Sequence, residues 1–212
     1  MIDPVNITKF DNTKEQLEEV LLFWVLAAGK NATTACRCLD NLLINVHNKF
    51  NINPYRPFEC LVKFEKSELA DLLKSHGIGC YNNKSKTIYE LVNSNLDLQE
   101  CTAEDLEKIY GIGMKTSRCF IIHSRKDASY AGLDVHILHF LKDLGYNVPN
   151  QTPIRKQYLE IEKIFLDIVR KSDMSVAEYD LMIWNKYSGR NKNDTKRNNS
   201  KSEGRKSKSL VG

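Results

Sequence analysis

The sequence predicts an all-α protein, and three observations carry that prediction. Apolar residues recur at the three-to-four-residue spacing of a helix face along most of the chain. Runs that alternate apolar and polar residues, the mark of a half-buried strand, are almost absent. The 212 residues, 42% hydrophobic and 27% charged, have the makeup of an ordinary globular chain able to bury its own core.

Each element follows from local signals. Lys14 to Ala28 carries Leu17, Val20, Leu21, Trp24 and Ala28 on one face, and Thr33 to His47 repeats the pattern through Ala35, Leu39, Leu42, Leu43 and Val46. Pro54 and Pro57 bracket a turn, and Ser67 opens a helix through Leu69, Leu72 and Leu73. Thr87 to Val92 and Ala103 to Tyr110 read as short helices, the second preceded by Thr102 and Asp105 at capping-box spacing. Met114 to His123, Val135 to Leu144, Ile154 to Val169 and Val176 to Trp184 complete the set, about nine to ten short helices joined by tight turns. Gly-Ile-Gly occurs at 77–79 and again at 111–113, but the flanks differ and no repeat unit extends from either copy.

The net charge of +4 hides a division. Residues 189–212 hold eight Lys/Arg against two Asp/Glu, a net of +6, and residues 1–188 carry a net of −2. The tail is rich in Ser, Asn, Gly and Lys and has too few apolar side chains to offset the entropy of ordering. It reads as a disordered basic segment, either an electrostatic arm for phosphates or a solubilising terminus. No run approaches the ~20 apolar residues of a membrane span. Met1-Ile2-Asp3-Pro4 lacks the layout of a secretory signal. Six cysteines stand at 36, 38, 60, 80, 101 and 119, with no second pair at metal spacing beside Cys36-Arg37-Cys38. Reduced, structural cysteine and an intracellular location follow, and no metal site is expected.

Leu106 to Thr116 reads as helix, Gly-Ile-Gly hairpin, helix. Glycines permit a sharp turn and close approach of another backbone. Amides at the start of the second helix lack intrahelical acceptors and carry partial positive charge, so the turn can hold a phosphate oxygen whatever the base sequence. Ile112 anchors the hairpin. Lys115 opens the second helix, and nineteen residues later Leu133-Asp134-Val135-His136 places Asp134 as the N-cap of another. The helix dipole opposes a positive charge at its N-terminus and favours the neutral amine. A neutral amine is a nucleophile that forms a Schiff base with a sugar aldehyde carbon. A nearby carboxylate stabilises oxocarbenium charge and shuttles protons. Taken singly, Lys115 is also compatible with a solvent-facing lysine and Asp134 with a plain cap; their conjunction with the hairpin favours chemistry.

Gly-Ile-Gly-Met-Lys-Thr followed by Leu-Asp-Val-His resembles the helix-hairpin-helix DNA glycosylase superfamily, which excises damaged bases in base-excision repair. The resemblance runs from about Leu17 to Ser188 and is closest in motif to the lysine-containing 8-oxoguanine DNA glycosylase/AP lyases. It implies a two-lobed helical domain over 1–188 with the DNA cleft between the lobes, followed by the tail at 189–212. It makes Lys115 the nucleophile at the sugar C1′ and Asp134 its activator, with strand cleavage by β-elimination. The target nucleotide must leave the stack to be attacked. By the same resemblance Gly111, Ile112, Gly113, Thr116 and His136 contact the DNA backbone. Lys30 or Asn31, in Leu26-Ala27-Ala28-Gly29-Lys30-Asn31-Ala32, would bond the orphaned partner base. Tyr81 or Cys80, in a wedge segment over Ser75 to Lys84, would fill the gap, although Tyr81 equally suits a buried core aromatic.

Departures from the family pattern sharpen the expectation. No cysteine follows Cys119, so the iron–sulfur cluster of endonuclease III-type members is not expected, nor any other cofactor. The Lys-to-Asp spacing and Asp-Val-His-x-x-His look more like 8-oxoguanine glycosylases than endonuclease III, and Glu178 to Trp184 resembles the closing helix of the compact archaeal-type 8-oxoguanine enzymes. Those end in a lysine used for base recognition, whereas this chain continues into the basic tail. Trp184 either stacks in the base pocket or packs in the core. The expected partner is double-stranded DNA containing a damaged base, bound by a monomer, in cytoplasm or nucleoid for a prokaryotic or viral source and in the nucleus for a eukaryotic one. Three readings compete with this one: the same chemistry on oxidised pyrimidines or another modified base, a helix-hairpin-helix module that only binds DNA, and a metabolic Schiff-base enzyme. The last normally brings strands.

Overall fold

The computed structural model describes residues 2–52 and 56–188, and the basic tail lies outside the described residues. Ten helices and no strand occur among the described residues. None of these helices is long and apolar enough to cross a membrane. The chain divides into two units: Met1–Gly132 with Ser175–Ala177, and Leu133–Met174 with the described residues from Glu178.

The first unit is organised around α1 (Lys14–Ala27), opened by a Thr13–Gln16 capping box. The helix packs against α2 (Ala32–Phe50), α3 (Pro57–Leu61), α5 (Tyr81–Val92) and α7 (Met114–Ser124). With neighbours on that many sides it buries Leu17, Val20, Leu21, Leu22, Phe23, Val25, Leu26 and Ala27. The single apolar face expected from the sequence is therefore too narrow, and Ala28, assigned to it, is exposed.

Several boundaries also move. Pro57 is the first residue of α3, where its missing N–H is harmless, and Pro54, expected to bracket a turn with it, lies outside the described residues. The helix expected from Ser67 is α4 (Lys66–Ser75), opened by a capping box between Glu65 and Glu68. The helix expected from Thr87 begins at Tyr81, because Cys80 in the left-handed region (φ 55°, ψ 32°) feeds the chain straight from the glycine turn into α5. The helix expected over Ala103–Tyr110 is one turn, α6 (Ala103–Leu106), with the Thr102–Asp105 box in place. Beyond it Lys108 N–Asp105 O (3.2 Å) and Ile109 N–Leu106 O (3.1 Å) tighten the chain toward the second glycine turn.

The second unit contains α8 (Val135–Asp143), α9 (Arg155–Val169) and most of α10 (Val176–Ser188). An aromatic cluster joins the three helices, with Tyr179 of α10 edge-on to both Phe140 and Phe165, ring centroids 5.9 Å apart in each pair. Buried Tyr158 receives the Leu133 amide on its hydroxyl at 2.9 Å, fixing the strand of chain that leads into α8.

Candidate active site

The second Gly-Ile-Gly turn starts with Gly111 at φ +80°, a conformation that side chains resist. Space enforces the same choice: a Cβ there would stand 2.2 Å from the Thr87 Oγ1 of α5. Ile112 is 4% exposed and anchors the turn, as expected. Gly113 is the N-cap of α7 and offers no side chain to its amides. The first ladder bond of the helix is Ser117 N to Gly113 O at 3.0 Å, so the amides before it lie outside that ladder. A Cβ on Gly113 would meet no atom within 4 Å, which leaves the backbone open to a ligand.

A buried ion pair braces this turn. The guanidinium of Arg118, 1% exposed, bonds Glu107 on the turn and lies 3.7 Å from Glu104 of α6. Ser117 Oγ donates to the same Glu107 carboxylate at 3.1 Å, and Arg118 lies over the Tyr130 ring at 5.2 Å. Together these contacts tie the first arm of the hairpin, α6 and Glu107, to the second, α7. Sequence reading missed Arg118 and Glu107, although a basic residue inside the apolar run of α7 was a signal that it needed a buried partner.

Lys115 is the second residue of α7, where the helix was expected to place it. Its Nζ lies 5.5 Å from the ring centroid of Trp24 on α1. Trp24 in turn stacks on His123 of α7, centroids 5.5 Å apart and planes 13° off parallel. His123 is fully buried and its Nδ1 pairs with Thr8 Oγ1 at 2.7 Å. Thr116 is 7% exposed, so its side chain is packed inside the fold.

The pieces expected to flank an extruded base meet in the first unit. Lys30 Nζ donates to Gly77 O at 2.8 Å, and its Cε would be 3.0 Å from a Cβ on Gly79. Lys30 thus latches the first Gly-Ile-Gly turn to the end of α1. Asn31 is exposed and caps α2 by accepting from Thr34 N at 3.3 Å. Tyr81 is half-buried, with Lys74 Nζ 5.6 Å from its ring, and Cys80 is exposed. Lys84, unremarked in the sequence, is buried and donates to Leu26 O at 2.7 Å. Burial lowers its pKa from the ordinary lysine value.

In the second unit Asp134 is the N-cap of α8, as expected. Its Oδ1 accepts from both His136 N (2.8 Å) and Ile137 N (3.0 Å), which fixes the carboxylate's orientation. His136 is half-buried with an Nδ1 that has no hydrogen-bond partner, and Trp184 is half-buried between the core residues Ile183 and Tyr187. Among the described residues no three His, Cys, Asp or Glu side chains cluster as metal ligands.

The Ogg-HhH family, described as 8-oxoguanine DNA glycosylase, matches residues 4–174. The 8-oxoguanine DNA glycosylase/AP lyase of Saccharolobus solfataricus is 30% identical over 171 residues, covering 71% of this chain and 80% of that one. That of Picrophilus torridus is 33% identical over 79 residues, a match spanning 37% of each chain. A crystal structure of the Methanocaldococcus jannaschii 8-oxoguanine glycosylase/lyase in complex with 15mer DNA containing 8-oxoguanine shares the fold. Its TM-score is 0.61 at 24% identity, over 84% of each chain.

Proposed function

This chain belongs to the 8-oxoguanine DNA glycosylase family, and we propose that it is a bifunctional DNA glycosylase/AP lyase acting on 8-oxoguanine in duplex DNA. The observation that carries the reading is the start of α7. Gly113 leaves an open backbone able to hold a phosphate, and two residues later Lys115 supplies an amine. Lys115 Nζ attacks C1′, the bond from C1′ to the base breaks, and the base departs with the bonding pair and takes up a proton. Ring opening gives a Schiff base between Nζ and C1′. Loss of a C2′ proton then expels the 3′ phosphate oxygen by β-elimination, and water releases the lysine. Asp134, oriented by two amides, stabilises the oxocarbenium charge and moves the protons.

Neither step calls for a metal, a redox group or an iron–sulfur cluster. Lys30, Asn31 and Tyr81 serve the space around the extruded nucleotide, Lys30 by holding the first glycine turn rather than by pairing with a base. His136 serves a phosphate, and Trp184 borders the base pocket. The protein works as a monomer on DNA inside the cell, in the nucleoid or nucleus according to its source, and the basic tail adds affinity that salt weakens.

Borohydride trapping on duplexes with single lesions tests the proposal. An adduct is expected with 8-oxoguanine and with an abasic site, and none with Lys115→Gln. Asp134→Asn keeps the helix cap, since Asn caps as well as Asp, but slows excision by about 100-fold or more. An adduct that survives Lys115→Gln, or full excision by Asp134→Asn, overturns the assigned roles. A stronger adduct with an oxidised pyrimidine than with 8-oxoguanine overturns the substrate.

A further inference from the structure

We infer that Trp24 is the positioning residue for Lys115: the indole face holds the lysine side chain in the orientation from which its amine attacks, and the buried His123–Thr8 pair holds the indole. The inference rests on the reading of Lys115 as the nucleophile.

A lysine carries its charge on a flexible four-carbon stem, so an unguided amine samples many positions around its helix. Here Nζ lies 5.5 Å from the Trp24 centroid, within the ~6 Å over which an aromatic face attracts a cation, so the ring orients the resting ammonium before it gives up a proton and attacks as the neutral amine. Lys115 and His123 stand eight residues apart on α7, about 12 Å along the helix, and the Trp24 ring touches both ends of that interval. The indole is itself held from several sides. His123 stacks on it, Phe23 meets it edge-on at 5.0 Å, and α1 is buried along most of its circumference. His123 is pinned twice by the N-terminal segment, through Thr8 Oγ1 at 2.7 Å and through Lys9 N to its carbonyl at 3.0 Å.

Packing alone does not account for an indole here. Trp24 Nε1 is buried with no hydrogen-bond partner, a cost that Phe or Leu at this position would avoid. What tryptophan adds over either is a wider, more electron-rich face, and that face is where Lys115 lies. A displaced amine costs rate without costing affinity, because orientation at the reacting atom contributes to the barrier and not to DNA binding.

The test compares Trp24→Phe, which keeps an aromatic face, with Trp24→Leu, which keeps apolar bulk. Three quantities are read on the full chain: the single-turnover rate of borohydride-trapped adduct on abasic duplex, the Kd for that duplex, and the rate of reductive methylation of Lys115 without DNA, followed by mass spectrometry. Trp24→Leu is expected to slow trapping by about tenfold or more and Trp24→Phe by no more than about threefold, with Kd unchanged. Methylation of Lys115 is expected to rise at least about threefold in the Leu variant alone as the amine leaves the ring. Wild-type trapping and methylation in Trp24→Leu overturn the inference. So do equal losses of trapping in both variants with unaltered methylation and a lowered melting point, which mark a structural residue. Absence of an adduct from the wild type defeats the reading of Lys115 as nucleophile instead, and the methylation comparison still decides whether Trp24 positions the side chain.

Discussion

The two Gly-Ile-Gly turns share a tripeptide and a left-handed first glycine, yet they present different surfaces. Each begins with a glycine in the left-handed region, Gly77 at φ +71° and Gly111 at φ +80°, and each buries its isoleucine, Ile78 at 3% and Ile112 at 4% exposure. The crowding is reversed. In the first turn Gly77 has room for a Cβ while Gly79 is covered by Lys30, whose Nζ takes the Gly77 carbonyl. In the second turn Gly111 is pressed on Thr87 while Gly113 is open. The first turn also needs Cys80 in a left-handed conformation before its helix starts, whereas α7 starts directly after Gly113. A tripeptide therefore sets the bend, and its neighbours decide whether the turn is an internal brace or an open helix start.

Substitutions can break that distinction in a graded way. The largest effect is expected from Arg118→Met, which leaves Glu107 buried without its guanidinium: a loss of about 3–5 kcal/mol, read by denaturant unfolding. Gly111→Ala meets both a resisted φ and the Thr87 hydroxyl, and should lose about 2–4 kcal/mol together with duplex affinity. Gly77→Ala, with the same φ and no obstruction, should lose only about 1 kcal/mol. Equal losses at the two sites would show that backbone conformation alone, not crowding, separates the turns. The smallest stability change is expected from Gly113→Ala, within about 0.5 kcal/mol, because its φ of −96° suits any residue and its Cβ meets nothing. Its methyl would nonetheless stand at the proposed phosphate contact, so fluorescence anisotropy should show weaker duplex binding; unchanged binding would remove Gly113 from that proposal.

Local signals made the helices legible and tertiary ones did not. Thr13, Asn31, Thr102 and Asp134 all cap the helices they precede, and caps depend on neighbours two or three residues away. Cys80 opens α5 without any cap side chain, so no local signal marks the first six residues of that helix. Lys115 and Asp134 were legible because both sit at helix starts beside a glycine turn or a cap. Trp24, His123 and Arg118 were not, since periodicity registers a buried side chain without naming its partner. Trp24 looked like one more core aromatic until the fold set it between Lys115 and His123.

The distribution of thiols bears on the conditions under which such an enzyme works. A protein that removes oxidised bases is needed most when oxidants are abundant, and thiolates are among the first protein groups they attack. All six cysteines are free, and five are buried. Burial pushes the Cys36 thiol up to about 12, which keeps it in the unreactive protonated form. Cys119, on the helix that carries Lys115, is 3% exposed and packed against Gly132. Cys80 alone among the six is exposed, and it lies at the end of the first glycine turn. Oxidative wear would begin there, on the bracing turn, while the thiol nearest Lys115 in sequence stays sheltered.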